Sequence, residues 1–223
     1  MGGPLTSSTL KNQVTGAFSG KSSSNILSSP IIKELHQIGL VKKATIPTIS
    51  SKRGLVYVPN TTHPEDDLVW IQPGSDLGFY YNYGRIPTQK YANHLAFIPM
   101  LFGMFNNTFQ ADVIAQINNG AYVPYVFSFN EPDLPYHDGG SQISPADAAT
   151  TWMKELQHLS AYGVKLGAPA TSGSNGGITW LQQFFAACSN CTFDFLPVHW
   201  YGDFPGLASQ VGYAHYLWPD LPL

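Results

Sequence analysis

Apolar and polar positions fall into two kinds of segment that alternate along most of the chain. Short apolar runs at Arg53 to Val58, Leu77 to Asn82, Ala96 to Gly103, Tyr125 to Asn130, Val164 to Ala170 and Phe193 to Trp200 predict six strands. Between them lie stretches with helical spacing at Phe109 to Asn118, Ser144 to Gly163, Ile178 to Cys188 and Leu207 to Trp218. The clearest of these opens on Ser144-Pro145-Ala146-Asp147, which offers a capping hydroxyl, a first-turn proline and an early acid, and Gly163 marks its end. An earlier helix is predicted from Ser29 to Lys43, opened by Ser29-Pro30 and apolar at Ile31, Ile32, Leu35, Ile38 and Leu40.

Strand and helix signals that alternate with a repeat of about 30 to 40 residues define parallel βαβ units, closed into a barrel or laid out as a doubly wound sheet. A dinucleotide-binding sheet places a glycine fingerprint after its first strand, whereas Pro59-Asn60-Thr61-Thr62-His63 follows here. Polar and aromatic residues collect instead at several strand ends: Tyr80-Tyr81-Asn82-Tyr83, Asn130-Glu131 and His199-Trp200-Tyr201-Gly202-Asp203. A site assembled from the ends of different strands belongs to the barrel. The sharpest of these ends is Asn130-Glu131-Pro132-Asp133, where an apolar run stops in a carboxylate and Pro132 removes a ladder donor. Its plain alternative is a polar turn, since Asn, Pro and Asp are ordinary turn residues.

Composition narrows the partners. Aromatic residues make up 13% of the chain and charged residues only 11%, a surface suited to stacking on neutral sugars, although the same rings also fill cores. A net charge of -3 without a basic cluster argues against nucleic acid or an anionic membrane, and no apolar stretch reaches bilayer-spanning length. Cys188-Ser189-Asn190-Cys191 is compatible with a disulfide, half a zinc site or a redox pair; a zinc ribbon needs a second pair, which the sequence lacks. Sequons at Asn60, Asn106 and Asn190 favour a secreted protein and therefore the disulfide. The Ser- and Gly-rich segment from Met1 to Ser29 has no apolar core of signal-peptide type, so residues 1–51 read as a leader, partly disordered, that holds the one predicted helix.

Six segments taken in order resemble glycoside hydrolase family 128: Lys52-Arg53-Gly54-Leu55, Gly78-Phe79-Tyr80-Tyr81-Asn82-Tyr83, Phe97-Ile98-Pro99-Met100-Leu101-Phe102-Gly103, Asn130-Glu131-Pro132-Asp133, Ser144-Pro145-Ala146-Asp147-Ala148-Ala149 and Val198-His199-Trp200-Tyr201-Gly202. The resemblance covers residues 52–223 and implies a (β/α)8 TIM barrel that hydrolyses β-1,3-glucan with retention, without cofactor or metal, as a monomer in the extracellular space or fungal cell wall. It maps Glu131 to the acid/base and Asn130 to the neighbour that touches a sugar hydroxyl. His199, Trp200 and Tyr201 would line the catalytic subsite, and Tyr81, Asn82, Tyr83 and Phe102 the glucan groove, with Tyr83 and Phe102 standing where the family usually carries tryptophan.

One element of the family pattern is missing. Retaining hydrolysis uses two carboxyl groups about 5 to 5.5 Å apart, and the family's nucleophile lies at the end of strand seven, beyond Trp218-Pro219-Asp220-Leu221-Pro222-Leu223. Of the four glutamates, Glu34 precedes the barrel, Glu65 follows strand one and Glu155 sits inside a helix, which leaves Asp203 as the nearest substitute. The expectation is an incomplete barrel of about six strands that is truncated and poorly stable alone. It is either impaired as a hydrolase, a non-catalytic β-glucan-binding protein, or an inactive product.

Overall fold

The computed structural model describes residues 47–105 and 108–223, and the helix expected from Ser29 to Lys43 lies outside them. The first three strands, β1 (Arg53–Val56), β2 (Leu77–Tyr81) and β3 (Ala96–Phe97), form a parallel sheet in that order, with Leu55 opposite Tyr80 and Tyr80 opposite Phe97. β4 (Tyr125–Val126) and β5 (Lys165–Leu166) pair in parallel, with Val126 opposite Leu166. Single parallel bridges join what lies between and beyond: Met100 to Phe127 links β3 to β4, Asn130 to Ala170 extends β4 along β5, and Gly167 to Phe195 adds a sixth position. Spatial order therefore follows chain order without the reversal of a doubly wound sheet, as in a barrel wall.

The strands are shorter than the apolar runs that predict them. Pro99, Pro169 and Pro197 each stand inside such a run and withdraw one ladder donor. Pairing survives as individual bonds, including Phe127 N to Pro99 O at 2.9 Å and Leu101 N to Phe127 O at 3.0 Å.

Helices cover the outer face. α1 (Phe109–Asn118) has the predicted bounds. α2 (Pro145–Glu155) is capped by the Ser144 hydroxyl, which accepts from Asp147 N, and passes into a 3-10 turn that ends at Gly163 with φ 76°. α3 (Asn175–Ala187) is capped by Ser174, and α4 (Phe204–Leu217) by Asp203. Trp152, Leu156, Leu159 and Phe184 are fully buried against Val126, Phe129 and Leu166 of the sheet. Each such side chain stabilises the fold by about 1.5–3 kcal/mol. Trp180 stacks on Phe184 at 5.4 Å and donates its indole N–H to Ile143 O at 2.8 Å, which fixes α3 to the start of α2. A smaller cluster of Tyr57, Tyr80, Tyr91 and Leu95 closes the β1–β2 side around buried Asp67, which takes a hydrogen bond from Tyr57 and an ion pair from Lys90 at 2.5 Å.

The Cys188–Cys191 disulfide closes the C-terminal end of α3. Among the described residues, β1 is paired only on its β2 side, and the sixth position meets on its free side one bond, from Leu196 N to Pro222 O at 2.8 Å. Val56, Val58, Phe204, Tyr213 and Tyr216 are exposed along this side of the sheet and on α4. No helix among the described residues is long and apolar enough to cross a membrane.

Candidate active site

The end of the fourth strand turns sharply. Glu131 N still donates along the sheet to Ala170 O at 2.7 Å, but Glu131 itself has φ 40°, in the left-handed region that costs a side-chain-bearing residue about 1–2 kcal/mol. The loop that follows holds it there. Leu134 N and Ser141 N both donate to Glu131 O, and Ile143 N returns to Pro132 O. Gly140 permits this closure, since a Cβ there would lie 2.3 Å from Leu134 O and 2.5 Å from Glu131 O. From the neighbouring strand, Ser172 donates to Asp133 through both its backbone N–H, at 3.0 Å, and its hydroxyl, so the fourth and fifth strand ends are clamped together.

This backbone presents the Glu131 carboxylate to His199, whose Nδ1 lies 3.0 Å from Oε1, with both side chains largely shielded from solvent. Sixty-eight positions separate the two in sequence, and the barrel wall brings them together. Beside them a cavity of about 170 Å³ is lined by Tyr81, Met100, Phe127, Ser128, Ala170 and His199. Burial pushes the Tyr81 phenol well above its ordinary range, and Tyr83, Tyr201 and Glu131 act in the same direction. Tyr81 meets Tyr83 edge-on at 5.3 Å, and Tyr83 meets Phe102 at 6.1 Å. A carboxylic acid beside a histidine can give or take a proton, and the surrounding rings present apolar faces suited to the C–H faces of a sugar.

The other expected site residues have definite roles in the architecture. Asn130 is buried, with its amide donating to Gly139 O at 3.1 Å, and Asn82 holds its own loop by donating to Ile86 O and accepting from Gly84 N. Trp200 lies on a bed of glycines: a Cβ at Gly173, Gly202 or Gly206 would come within 2.9, 3.0 or 2.0 Å of the indole, whose N–H donates to Asp203 O. Tyr201 is 87% exposed. Asp203 accepts from Gly206 N as the cap of α4. Sequence reasoning passed over Ser128, a residue of the cavity lining whose buried hydroxyl has no hydrogen-bond partner among the described residues. A single polar residue inside the apolar run Tyr125 to Phe129 was the available signal.

A barrel-like parallel sheet with a carboxylate–histidine pair among aromatic rings at its strand ends defines a carbohydrate-active α/β protein. The chain belongs to the glycosyl hydrolase catalytic core family, whose model matches residues 54–223, and within it to glycoside hydrolase family 128. It is 34% identical over 171 residues, 74% of its own length, to alkali-sensitive linkage protein 1 of Schizosaccharomyces pombe, of which it spans only 29%. It resembles the family 128 subgroup III curdlan-specific exo-β-1,3-glucanase of Blastomyces gilchristii, solved with glucose, at 30% identity and a TM-score of 0.63, over 77% of this chain and 71% of that one. A subgroup VII oligosaccharide-binding protein of Trichoderma gamsii shares the fold at 20% identity and a TM-score of 0.59, over 80% of this chain and 67% of that one. The fold is thus α/β and TIM-barrel-like.

Proposed function

We propose that residues 52–223 form a glycoside hydrolase domain of six barrel strands that holds β-1,3-glucan in the cleft around Glu131 and His199. Residues 1–51 are the leader that precedes it in sequence. The observation that carries this reading is the Glu131–His199 pair, 3.0 Å apart at the ends of two strands and flanked by Tyr81, Tyr83 and Phe102. Glu131 is the acid/base: protonated, it gives its proton to the glycosidic oxygen of the leaving sugar, and His199 holds the carboxylate in place. Trp200 and Tyr201 add ring faces for the sugar, while Asn130 and Asn82 hold the loops that frame the cleft.

The role supported best for the described residues is glucan binding. The other two described glutamates, and the aspartates that follow the fourth and sixth strand ends, have partners of their own. Glu65 pairs with His63, Glu155 accepts from Gln110 N, Asp133 is taken by Ser172 and Asp203 caps α4. A family that includes both β-1,3-glucanases and oligosaccharide-binding proteins accommodates this outcome. Secretion to the cell wall and a monomeric state complete the proposal. The test is the purified chain incubated with laminarin, scored for reducing ends, beside retention on insoluble β-1,3-glucan. Retention without release is expected. Release at the rate of a family 128 glucanase would overturn the binding reading in favour of hydrolysis, and absence of both would overturn glucan recognition.

A further inference from the structure

Two large rings outside the site just described stand together in solvent. Phe105, 71% exposed, and Tyr136, 48% exposed, lie 5.1 Å apart with their planes tilted by 44°. They come from different loops, the one after the third strand and the one after Glu131. The Phe105 ring rests on Gly103, where a Cβ would lie 3.3 Å from it, and Gly103 in turn packs against Ser141. Tyr136 begins a short 3-10 turn closed by bonds from Gly139 N to Tyr136 O and from Gly140 N to Pro135 O.

The two loops that carry the pair also carry residues of the cleft. Phe102, at the same strand end as Phe105, touches Tyr83 at 6.1 Å and accepts from Asn130 N, while Tyr136 follows Glu131 by five positions. Its Cα thus lies within about 18 Å of that of Glu131, a span of a few sugar units. The open sheet edge does not explain the exposure, because that edge lies at β1 and the sixth strand position, whereas these loops follow the third and fourth strands. No ionised side chain is part of the pair, which suits a neutral ligand. Two rings tilted to one another present a bent surface, matching a β-1,3-linked chain, which curves, better than a flat β-1,4-linked one.

We propose that Phe105 and Tyr136 form a distal sugar-stacking subsite that selects longer β-1,3-glucan chains; this rests on the glucan-binding reading of the Glu131 cleft. The test measures the affinity of laminaribiose through laminarihexaose and of cellohexaose for the full chain, the Phe105→Ala/Tyr136→Ala variant, a Phe105→Tyr/Tyr136→Phe variant and Tyr81→Ala. The double alanine variant should lose about tenfold affinity for laminarihexaose and keep that for laminaribiose. The ring-conserving variant should keep both, Tyr81→Ala should weaken both, and cellohexaose should bind less tightly than laminarihexaose. An unchanged laminarihexaose affinity in the double alanine variant, with unmodified protein binding normally, overturns the subsite and leaves the cleft reading intact. Failure of the unmodified chain to bind any laminari-oligosaccharide overturns both.

Discussion

Replacing Asp133 by alanine tests whether the clamp between the fourth and fifth strand ends supports the site. Asp133 accepts two hydrogen bonds from Ser172, one from its backbone N–H at 3.0 Å and one from its hydroxyl, and Ser172 is only 8% exposed. The hydroxyl has a second partner in Ser174, 2.8 Å away, so it is not stranded when the carboxylate goes. The backbone N–H has no such alternative, and an unsatisfied buried donor costs about 1–3 kcal/mol, added to the net value of a charge-assisted bond. The expected loss is about 3 kcal/mol, which lowers Tm by about 6–12 °C in a domain of this size. Asp133→Asn keeps an oxygen toward Ser172 N and should lose only about 1 kcal/mol. Urea and thermal unfolding followed by far-UV circular dichroism supply the comparison. Laminari-oligosaccharide affinity should fall in the alanine variant as Glu131 drifts. An alanine variant within about 0.5 kcal/mol of the parent would refute the argument.

Gly206→Ala should destabilise by about 1–3 kcal/mol and alter tryptophan fluorescence, since its Cβ would lie 2.0 Å from the Trp200 indole. Lys90 holds the Asp67 carboxyl below its ordinary value of 3.8. Because the folded value is the lower one, the stabilisation is present above the unfolded value and lost as pH falls through the folded one. Unfolding midpoints of the parent and Asp67→Asn, apart at neutral pH, should therefore begin to approach one another as pH falls below 3.8 and meet only below the lowered folded-state value. Cys188→Ser/Cys191→Ser opens a ring whose ends are three positions apart, and calorimetry should show a loss of about 2 kcal/mol.

Much of the architecture was legible because its signals are local. Ser144-Pro145 and Gly163 delimit α2 and its continuation through the capping hydroxyl and left-handed glycine that their identities imply, and the bounds of α1 follow from its apolar period. The strands were legible as apolar runs but not in extent, because Pro99, Pro169 and Pro197 fragment the ladder without altering the hydrophobic pattern. α3 and α4 begin three residues earlier than their apolar stretches, where Ser174 and Asp203 cap them. In the site, the meeting of Glu131 with His199 is a product of closure around the wall, and only resemblance anticipated it. The left-handed backbone of Glu131 had no signature in its own identity; its trace is the downstream Gly140, whose missing side chain lets the loop return. Phe105 and Tyr136 form a pair only through the approach of two loops, which no spacing along one segment encodes.

The left-handed φ at Glu131 sets stability against the proposed acid/base role at a single position. Glycine, which enters that region freely, or asparagine, which tolerates it better than glutamate, would relax the backbone. A library screened only for thermal resistance would favour such replacements and discard the acid. Consensus stabilisation of this domain therefore has to hold position 131 fixed, and a lineage released from sugar chemistry would lose this carboxylate early.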